Sequence, residues 1–262
     1  METEEIKLEG YVLTHEGKVR SNNEDNYSLF GKIKEDTTQN QAQSYDHVQG
    51  EMFAAGIYDG VGGEEDGEVA SLIAAKSIQA CPLENVLSEA MKQLQEANRK
   101  ICELNQRNGL FMGSTAAQIY FSKGSAICVN LGDSRGYFFR DGRLLLLSKD
   151  HSEGQRMIDM GIVTQEEARK SRNWHVLTQY LGIDPKEFLI EPYFSDEIIL
   201  KKDDLFLLAS DGLTDLMPDE ELRKVLHVSS RKDLKSISEE LFTGAMQNGG
   251  KDNITIMMVR VL

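Results

Sequence analysis

Short runs of apolar residues, several of them alternating with polar residues, recur along the chain and are typical of β-strands. Turn residues separate several of the runs, and Asp141-Gly142 is a strong signal for a tight hairpin. The predicted strands are residues 8–15, 26–31, 52–58, 115–121, 126–130, 136–140, 144–147, 188–194, 205–209 and 254–261.

Other segments repeat their apolar residues every three or four positions, which is the period of an amphipathic helix. Pro82 is well placed to open the longest of these helices, which should end near Gly109. The predicted helices are residues 64–79, 82–109, 164–170, 219–226 and 231–247. Strands, a helix pair, more strands and a second helix pair predict a layered α+β fold rather than alternating βαβ units.

Two polar segments interrupt this pattern. Residues 32–50 are rich in Gln, Asp and Thr, and we expect either a long surface loop or an extended hairpin there. Residues 152–175 form either a plain connecting loop with one short helix or a mobile flap beside a functional site.

Length and charge narrow the class of protein. The chain has 262 residues and a formal net charge of -14, which disfavours a nucleic-acid partner. No apolar run approaches the roughly 20 residues of a membrane helix. The first residues are acidic and lack the pattern of a signal peptide. We therefore expect one cytoplasmic domain over residues 1–262, monomeric and away from membranes.

The three cysteines, Cys81, Cys102 and Cys128, predict buried free thiols rather than a disulfide framework. They also exclude a Cys-x5-Arg phosphatase loop, because the residues six positions further on are Leu87, Asn108 and Ser134. Their spacing from the histidines is not that of a zinc site.

Four acidic clusters are the most informative feature of the chain. They lie at residues 20–26, 58–63, 210–215 and 251–253, and three of them adjoin an apolar, strand-like run. Carboxylates at strand ends, followed by glycines that let a backbone carbonyl approach, suit Mg²⁺ or Mn²⁺. A pair of such ions can activate a water molecule and hold a phosphoryl group.

These clusters, with four further motifs, resemble the metal-dependent protein serine/threonine phosphatases of the PP2C (PPM) family in their compact bacterial form. The resemblance runs from about Gly10 to Val261, with the motifs in the family's order. They are residues 20–25, 59–63, 113–116, 131–135, 149–152, 177–182, 210–212 and 252–253. The resemblance implies a four-layer αββα sandwich of two antiparallel sheets, with metals in a cleft at one end.

The resemblance also implies the ligands of two Mn²⁺ or Mg²⁺ ions. Asp59 would bridge both ions, and Asp211 and Asp252 would complete one site. The second site would use the backbone carbonyl of Gly60 and the Glu24-Asp25 pair, with Glu24 the favoured contact. Bacterial members also bind a weaker third ion at the position of Asp133, together with that of Asp211.

Arg20 is the expected phosphate clamp, because a guanidinium offers a fork of donors to two phosphoryl oxygens. The catalytic residues implied by the resemblance are then Arg20, Asp59, Asp211 and Asp252. Animal members carry a histidine two residues after the bridging aspartate, where this chain has Val61. The proton donor to the leaving group therefore stays open, with a metal-bound water as one hypothesis. His151 is either such a donor or a hydrogen-bonded structural residue.

Three functions remain to be compared. The first is metal-dependent hydrolysis of phosphoserine and phosphothreonine in proteins, with substrates modified by a serine/threonine kinase. The second is a haloacid-dehalogenase-type phosphatase around Asp211, which needs a second aspartate two positions on, where Leu213 stands. The third is a non-catalytic binding module, which would be expected to lose its metal acids, yet Asp59, Asp211 and Asp252 are all present.

Overall fold

Two antiparallel β-sheets form the centre of the molecule in a computed structural model that describes residues 5–62, 66–164, 167–168 and 173–262. The strands are β1 (Ile6–His15), β2 (Asn26–Leu29), β3 (Lys32–Ile33), β4 (Gln41–Gly50), β5 (Met52–Tyr58), β6 (Gly60–Gly62), β7 (Met112–Ser114), β8 (Ala116–Ser122), β9 (Ser125–Leu131), β10 (Arg135–Arg140), β11 (Arg143–Leu146), β12 (Tyr193–Phe194), β13 (Ile198–Ile199), β14 (Leu205–Ala209) and β15 (Ile254–Val261). The helices are α1 (Gly67–Ala75), α2 (Val86–Asn108), α3 (Glu153–Asp159), α4 (Asp211–Thr214), α5 (Asp219–Ser229) and α6 (Leu234–Gln247).

The strand order is β11-β10-β14-β15-β1-β4 in the first sheet and β12-β9-β8-β5-β2-β3 in the second, where β13 also pairs with β9. A small third sheet joins β6 to β7. In the first sheet, β15 is an interior strand, because it pairs with β14 on one side and with β1 on the other. The strand closest to the end of the chain therefore links two parts of the sheet that are distant in sequence.

Three apolar clusters show how the layers stack. One cluster lies between the two sheets and includes Phe206 and Leu208 of β14. A second packs α5 and α6 against the outer face of the first sheet, where Leu205 and Leu207 of β14 point. The third packs α1 and α2 against the second sheet. The layers are thus helix, sheet, sheet and helix, which confirms the predicted α+β sandwich.

The inner strands could be recognised in the sequence as apolar runs because both faces of each sheet are buried there. All five residues of β14 are buried, with alternate side chains entering different clusters. The long helix ends as predicted, at the left-handed Gly109, although its first turn is a 3₁₀ turn after Pro82. The cysteines Cys81, Cys102 and Cys128 are buried free thiols, as expected.

For residues 32–50 the prediction of a long surface loop is wrong, and the alternative prediction of an extended hairpin is only partly right. Residues 41–50 form β4, which pairs with β1 over ten positions, from Ile6 opposite Gly50 to His15 opposite Gln41. Exposed and half-buried residues alternate along β4. A polar edge strand of this kind resists pairing with other chains, which is why its sequence lacks a strand's apolar signal.

Two other predicted elements need correction. The strand predicted over 188–194 is wrong for residues 188–192, since only Tyr193–Phe194 form a strand and Phe188 and Leu189 are exposed. Pro192 has no backbone N–H to donate, which disfavours a longer strand. The first predicted helix is shorter than 64–79, because α1 ends at Ala75.

The segment 152–175 contains a helix that the sequence did not reveal, α3, whose cap is the Ser152 hydroxyl accepting from Gln155 N–H. The short helix predicted over 164–170 lies largely outside the described residues, as do the first residues of the helix predicted from residue 64. Among the described helices, none is long and apolar enough to cross a membrane.

Candidate active site

A cleft of about 640 Å³ opens where strand ends from both sheets meet. It is lined by seven of the eight residues predicted for the site: Arg20, Glu24, Asp59, Gly60, Asp133, Asp211 and Asp252. The eighth, Asp25, is fully buried in the protein behind them. Acidic residues that are distant along the chain are thus brought into one site.

Asp59 follows β5 directly and is fixed through its backbone. Its N–H donates to the Thr115 hydroxyl at 3.0 Å, and its carbonyl accepts from the Thr115 N–H at 2.8 Å. Thr115 therefore holds the backbone that carries Asp59 in place. Burial, and then the nearby carboxyls of Asp25 and Asp211, raise the pKa of Asp59 well above its ordinary value.

Asp211 begins the short helix α4 at the end of β14. The next residue must be small, since a Cβ on Gly212 would lie 1.9 Å from the Asn253 carbonyl oxygen. This close approach brings Asp211 beside the Asp252-Asn253 pair. Burial, and then the carboxyls of Asp133 and Asp215, raise the pKa of Asp211 well above its ordinary value.

Asn253 links the first acidic cluster to the last. Its Oδ1 accepts from the Glu24 N–H at 2.8 Å, and its Nδ2 donates to the carbonyls of Glu16 and Asn22. Its neighbour Asp252 accepts from the Arg20 guanidinium at 2.8 Å. The expected phosphate clamp therefore lies at the cleft and is paired with an expected metal ligand.

Glu24 lies against the first residue of α1. A Cβ on Gly67 would be 2.3 Å from Glu24 Oε2, so the carboxylate rests on the helix start. That position is favourable for a negative charge. Burial is the main cause that raises the pKa of Glu24. Glu24 lines the cleft, whereas Asp25 does not reach its surface.

Asp25 has a different environment from Glu24. One of its carboxylate oxygens accepts from the hydroxyls of Ser210 and Thr255, at 2.9 and 2.6 Å. The other, Oδ1, is buried without a hydrogen-bond partner. Burial raises the pKa of Asp25 to about 6. An unpartnered buried oxygen next to a carboxylate cluster is the kind of atom that a cation, directly or through water, would satisfy.

Asp133 follows β9, two residues before Arg135, but these two described side chains form no ion pair with each other. Arg135 instead forms a buried, two-pronged ion pair with Asp150. Burial, and then the carboxyls of Asp150 and Asp215, raise the pKa of Asp133 to about 7. One carboxylate oxygen each of Asp133 and Asp211 lie within 4.8 Å of each other and of a ring nitrogen of His175.

His151 makes the hydrogen bonds of a structural residue. The ring Nδ1 of His151 accepts from the Gly132 backbone N–H at 3.1 Å, and the backbone N–H of His151 donates to the Gly132 carbonyl at 2.9 Å. Burial lowers the pKa of the imidazole. The ring therefore holds the loop before Asp133 in place.

The donor set fits divalent cations. Hard oxygen ligands from several carboxylates converge on one cleft, and burial and mutual repulsion raise the pKa of most of them. The basic residues that line the cleft within the described chain are Arg20, Arg135 and Lys251. Arg135 is already paired with Asp150, so these side chains leave most of the negative charge for bound cations to offset.

Sequence reasoning missed the residues that support this acidic cluster. Asn253 was part of a motif without a role, and Lys34 lay in the polar segment 32–50. The buried Lys34 ammonium donates to the Asn23 carbonyl at 2.8 Å, while Asn23 Nδ2 donates to the Asn40 carbonyl. The segment thus braces the turn that carries Glu24. No sequence signal distinguishes such a lysine from a solvated one.

Replacement of Gly60 by alanine should destabilise the protein by about 2–4 kcal/mol, the cost of overpacking and forced backbone shifts. A Cβ there would lie 2.4 Å from the Gly67 carbonyl oxygen and 2.6 Å from that of Glu24. Urea unfolding measures the change. Gly109→Ala is the matched control, since Gly109 has φ 68 but nothing within 4 Å, so only about 1 kcal/mol should be lost. Equal losses in the two variants would show that the three backbones do not meet at Gly60.

Comparison with known proteins identifies the family of the chain. The chain matches the model of the family described as protein phosphatase 2C over residues 10–157 and 163–254. A serine/threonine phosphatase, stp, of Listeria welshimeri is 28% identical over 261 residues, which cover 94% of this chain and 93% of that protein.

Solved structures give the same result. The serine/threonine phosphatase PstP of Mycobacterium tuberculosis is similar with a TM-score of 0.80 and 26% identity, covering 97% of this chain and 99% of its own. The catalytic domain of PstP in complex with two manganese ions is similar with a TM-score of 0.76 and 27% identity, covering 98% and 99%.

The fold and the acidic cleft define a metal-dependent phosphatase. The chain belongs to the protein phosphatase 2C family, and the prediction of a protein serine/threonine phosphatase is confirmed. The alternative of a non-catalytic module finds no support in these comparisons.

Proposed function

We propose that the residues of this cleft carry out the hydrolysis of phosphoserine and phosphothreonine in proteins. In this proposal Asp59, Asp211 and Asp252 hold one divalent cation. Asp59, the Gly60 carbonyl and Glu24 hold a second cation. Asp25 supports this second site from its buried position behind Glu24. Two bound cations supply an activated water and offset charge on the phosphoryl oxygens. The observation that supports these roles is the convergence of Glu24, Asp59, Asp211 and Asp252 on one cleft.

The protein groups prepare the cleft in three ways. The Thr115 and Asn253 hydrogen bonds fix the backbones that carry Asp59 and Glu24. Burial keeps the carboxyls away from bulk water, so that each charge interacts strongly. Arg20 stands at the cleft with a guanidinium that can form two parallel hydrogen bonds to a phosphoryl group.

Arg20→Lys should lower kcat/KM by about tenfold to a hundredfold. The lysine keeps the charge but loses the fork, and one charge-assisted hydrogen bond is worth about 1.5–3 kcal/mol. Because Arg20 also pairs with Asp252, the Mn²⁺ concentration for half-maximal activity is measured in parallel. Arg143→Lys, at an exposed arginine of β11, is the control. Unchanged kcat/KM in Arg20→Lys would contradict the clamp.

We further propose that the ions are Mn²⁺ or Mg²⁺, that Asp133 and Asp211 hold a third ion, and that residues 1–262 act as a single domain. The substrates would be proteins phosphorylated by a serine/threonine kinase, in the cytoplasm and without a nucleic-acid or membrane partner. The net charge of -14 supports the exclusion of nucleic acid. We expect a monomer, which light scattering of the purified protein would test.

The test of the proposed function is hydrolysis of a phosphothreonine peptide with Mn²⁺, with Mg²⁺ and with EDTA. We expect phosphate release with either cation and almost none in EDTA. A phosphotyrosine peptide of the same sequence measures the preference for serine and threonine. Full activity in EDTA would exclude the metal mechanism.

A further inference from the structure

We propose that His175 is a ligand of the third cation, together with Asp133 and Asp211. This inference rests on the proposed function and deepens it, because it makes the third site a mixed nitrogen and oxygen site. It also connects that site to the end of the 152–175 segment. His175 was not among the site residues predicted from the sequence.

The distances suit a shared ion. One ring nitrogen of His175 and one oxygen each of Asp133 and Asp211 lie within 4.8 Å of one another. Ligands on opposite sides of an ion at about 2.1 Å lie about 4.2 Å apart. Other pairs of ligands lie closer together than this, so the three atoms must approach one another to share an ion, and the half-exposed side chain of His175 can make much of that movement.

Asp215 provides the support that a metal-binding histidine requires. The His175 Nδ1 atom lies 3.4 Å from Asp215 Oδ2. A histidine ligand typically donates its other ring N–H to a carboxylate, which fixes the orientation of the ring. Donation from Nδ1 to Asp215 would leave Nε2 as the ligand atom. His175, Asp215, Asp133 and Asp211 all line the same cleft.

The neighbouring Trp174 anchors this histidine. Trp174 is 7% exposed and packs on Gly154 at the start of α3, where a Cβ would lie 2.2 Å from Trp174 Cε3. A β-bridge between Ser152 and Leu177 closes the segment at its base. A cation bound by His175 would therefore tie the end of the 152–175 segment to Asp133 and Asp211.

An imidazole ligand would also change which metal ion the third site prefers. Nitrogen ligands suit Mn²⁺ and later divalent metals better than Mg²⁺, which prefers oxygen ligands and retains its water. We therefore expect the third site to take Mn²⁺ in preference to Mg²⁺, and His175→Asp to reduce that preference.

The test is equilibrium Mn²⁺ binding at pH 7.5, followed by the electron paramagnetic resonance signal of free Mn²⁺. Wild type should bind one ion more than Asp133→Asn. His175→Ala should weaken that one site about tenfold or more and leave the tighter sites unchanged. His47→Ala, at an exposed histidine of β4, is the control and should match wild type.

Tryptophan fluorescence gives a second readout, because Trp174 is the only tryptophan in the sequence. Filling the third site with Mn²⁺ should change its fluorescence in wild type and His47→Ala, but not in His175→Ala at the same concentrations. The proposal is overturned if His175→Ala binds Mn²⁺ like wild type while Asp133→Asn loses one ion. It is also overturned if wild type and Asp133→Asn bind the same number. No Mn²⁺ binding by wild type would instead refute the proposed function.

Discussion

Asp59→Asn should reduce phosphate release by about a thousandfold or more while the fold remains intact. Asparagine keeps the size of the side chain but removes the charge of the proposed bridging ligand. The cations contribute several kcal/mol to the transition state, and about 4 kcal/mol corresponds to a thousandfold in rate. The measurement is kcat/KM for a phosphothreonine peptide in saturating Mn²⁺.

The control for Asp59→Asn is Asp141→Asn. Asp141 lies in the hairpin turn between β10 and β11 with φ 52, a conformation that asparagine also tolerates. It should keep wild-type activity, and far-ultraviolet circular dichroism should show the same fold in both variants. Turnover by Asp59→Asn within tenfold of wild type would contradict the two-metal assignment.

Without metal, the protein should be more stable at pH 5.5 than at pH 7.5. Asp25, Asp59, Asp133 and Asp211 all have pKa values raised above their ordinary value, to about 6 and about 7 for Asp25 and Asp133. At pH 7.5 the unfolded chain binds fewer protons than the folded one. Stability therefore falls as the pH rises from near 4 through the raised pKa values, by about 1.4 kcal/mol per pH unit for each group that titrates.

Thermal unfolding in EDTA and in Mn²⁺, at both pH values, measures this effect. Mn²⁺ should raise Tm at both pH values. The increase should be larger at pH 7.5, where more of the carboxyl groups are deprotonated and able to bind the cation. Asp211→Asn removes one of the repelling charges, so in EDTA at pH 7.5 it should unfold several degrees above wild type, about 2–4 °C per kcal/mol. A lower Tm for Asp211→Asn than for wild type in EDTA would show that repulsion within the cleft does not limit stability.

The inner layers of the fold could be predicted because buried positions require apolar residues, which form a simple pattern along the sequence. Strands such as β14 are covered on both faces and read as continuous apolar runs. The edge strand β4 could not be recognised, since its polar residues serve to protect an edge. The opposite error occurred at residues 188–192, where apolar residues led to the prediction of a strand that the structure lacks. Phe188 and Leu189 lie exposed at the surface instead.

The acidic residues of the site could be predicted because the motifs hold them in a fixed order along the chain. Their partners could not, since the contacts join segments that are far apart in sequence. Arg20 with Asp252 and Asn253 with Glu24 are contacts of this kind, and His175 likewise comes within 4.8 Å of Asp133 from a distant part of the chain. Only the three-dimensional arrangement shows which polar residue supports which carboxylate.

The interior place of β15 has a consequence for how the protein is made. A ribosome synthesises β15 after both of its neighbours, β14 and β1, yet the first sheet needs it between them. Asp252 and Asn253, which immediately precede β15, also complete the cleft. A nascent chain that lacks β15 and these two residues has unpaired edges on β14 and β1 and an incomplete lining of the cleft. We therefore expect phosphatase activity only after translation has passed β15, and we expect chains terminated before β15 to be inactive and prone to aggregate.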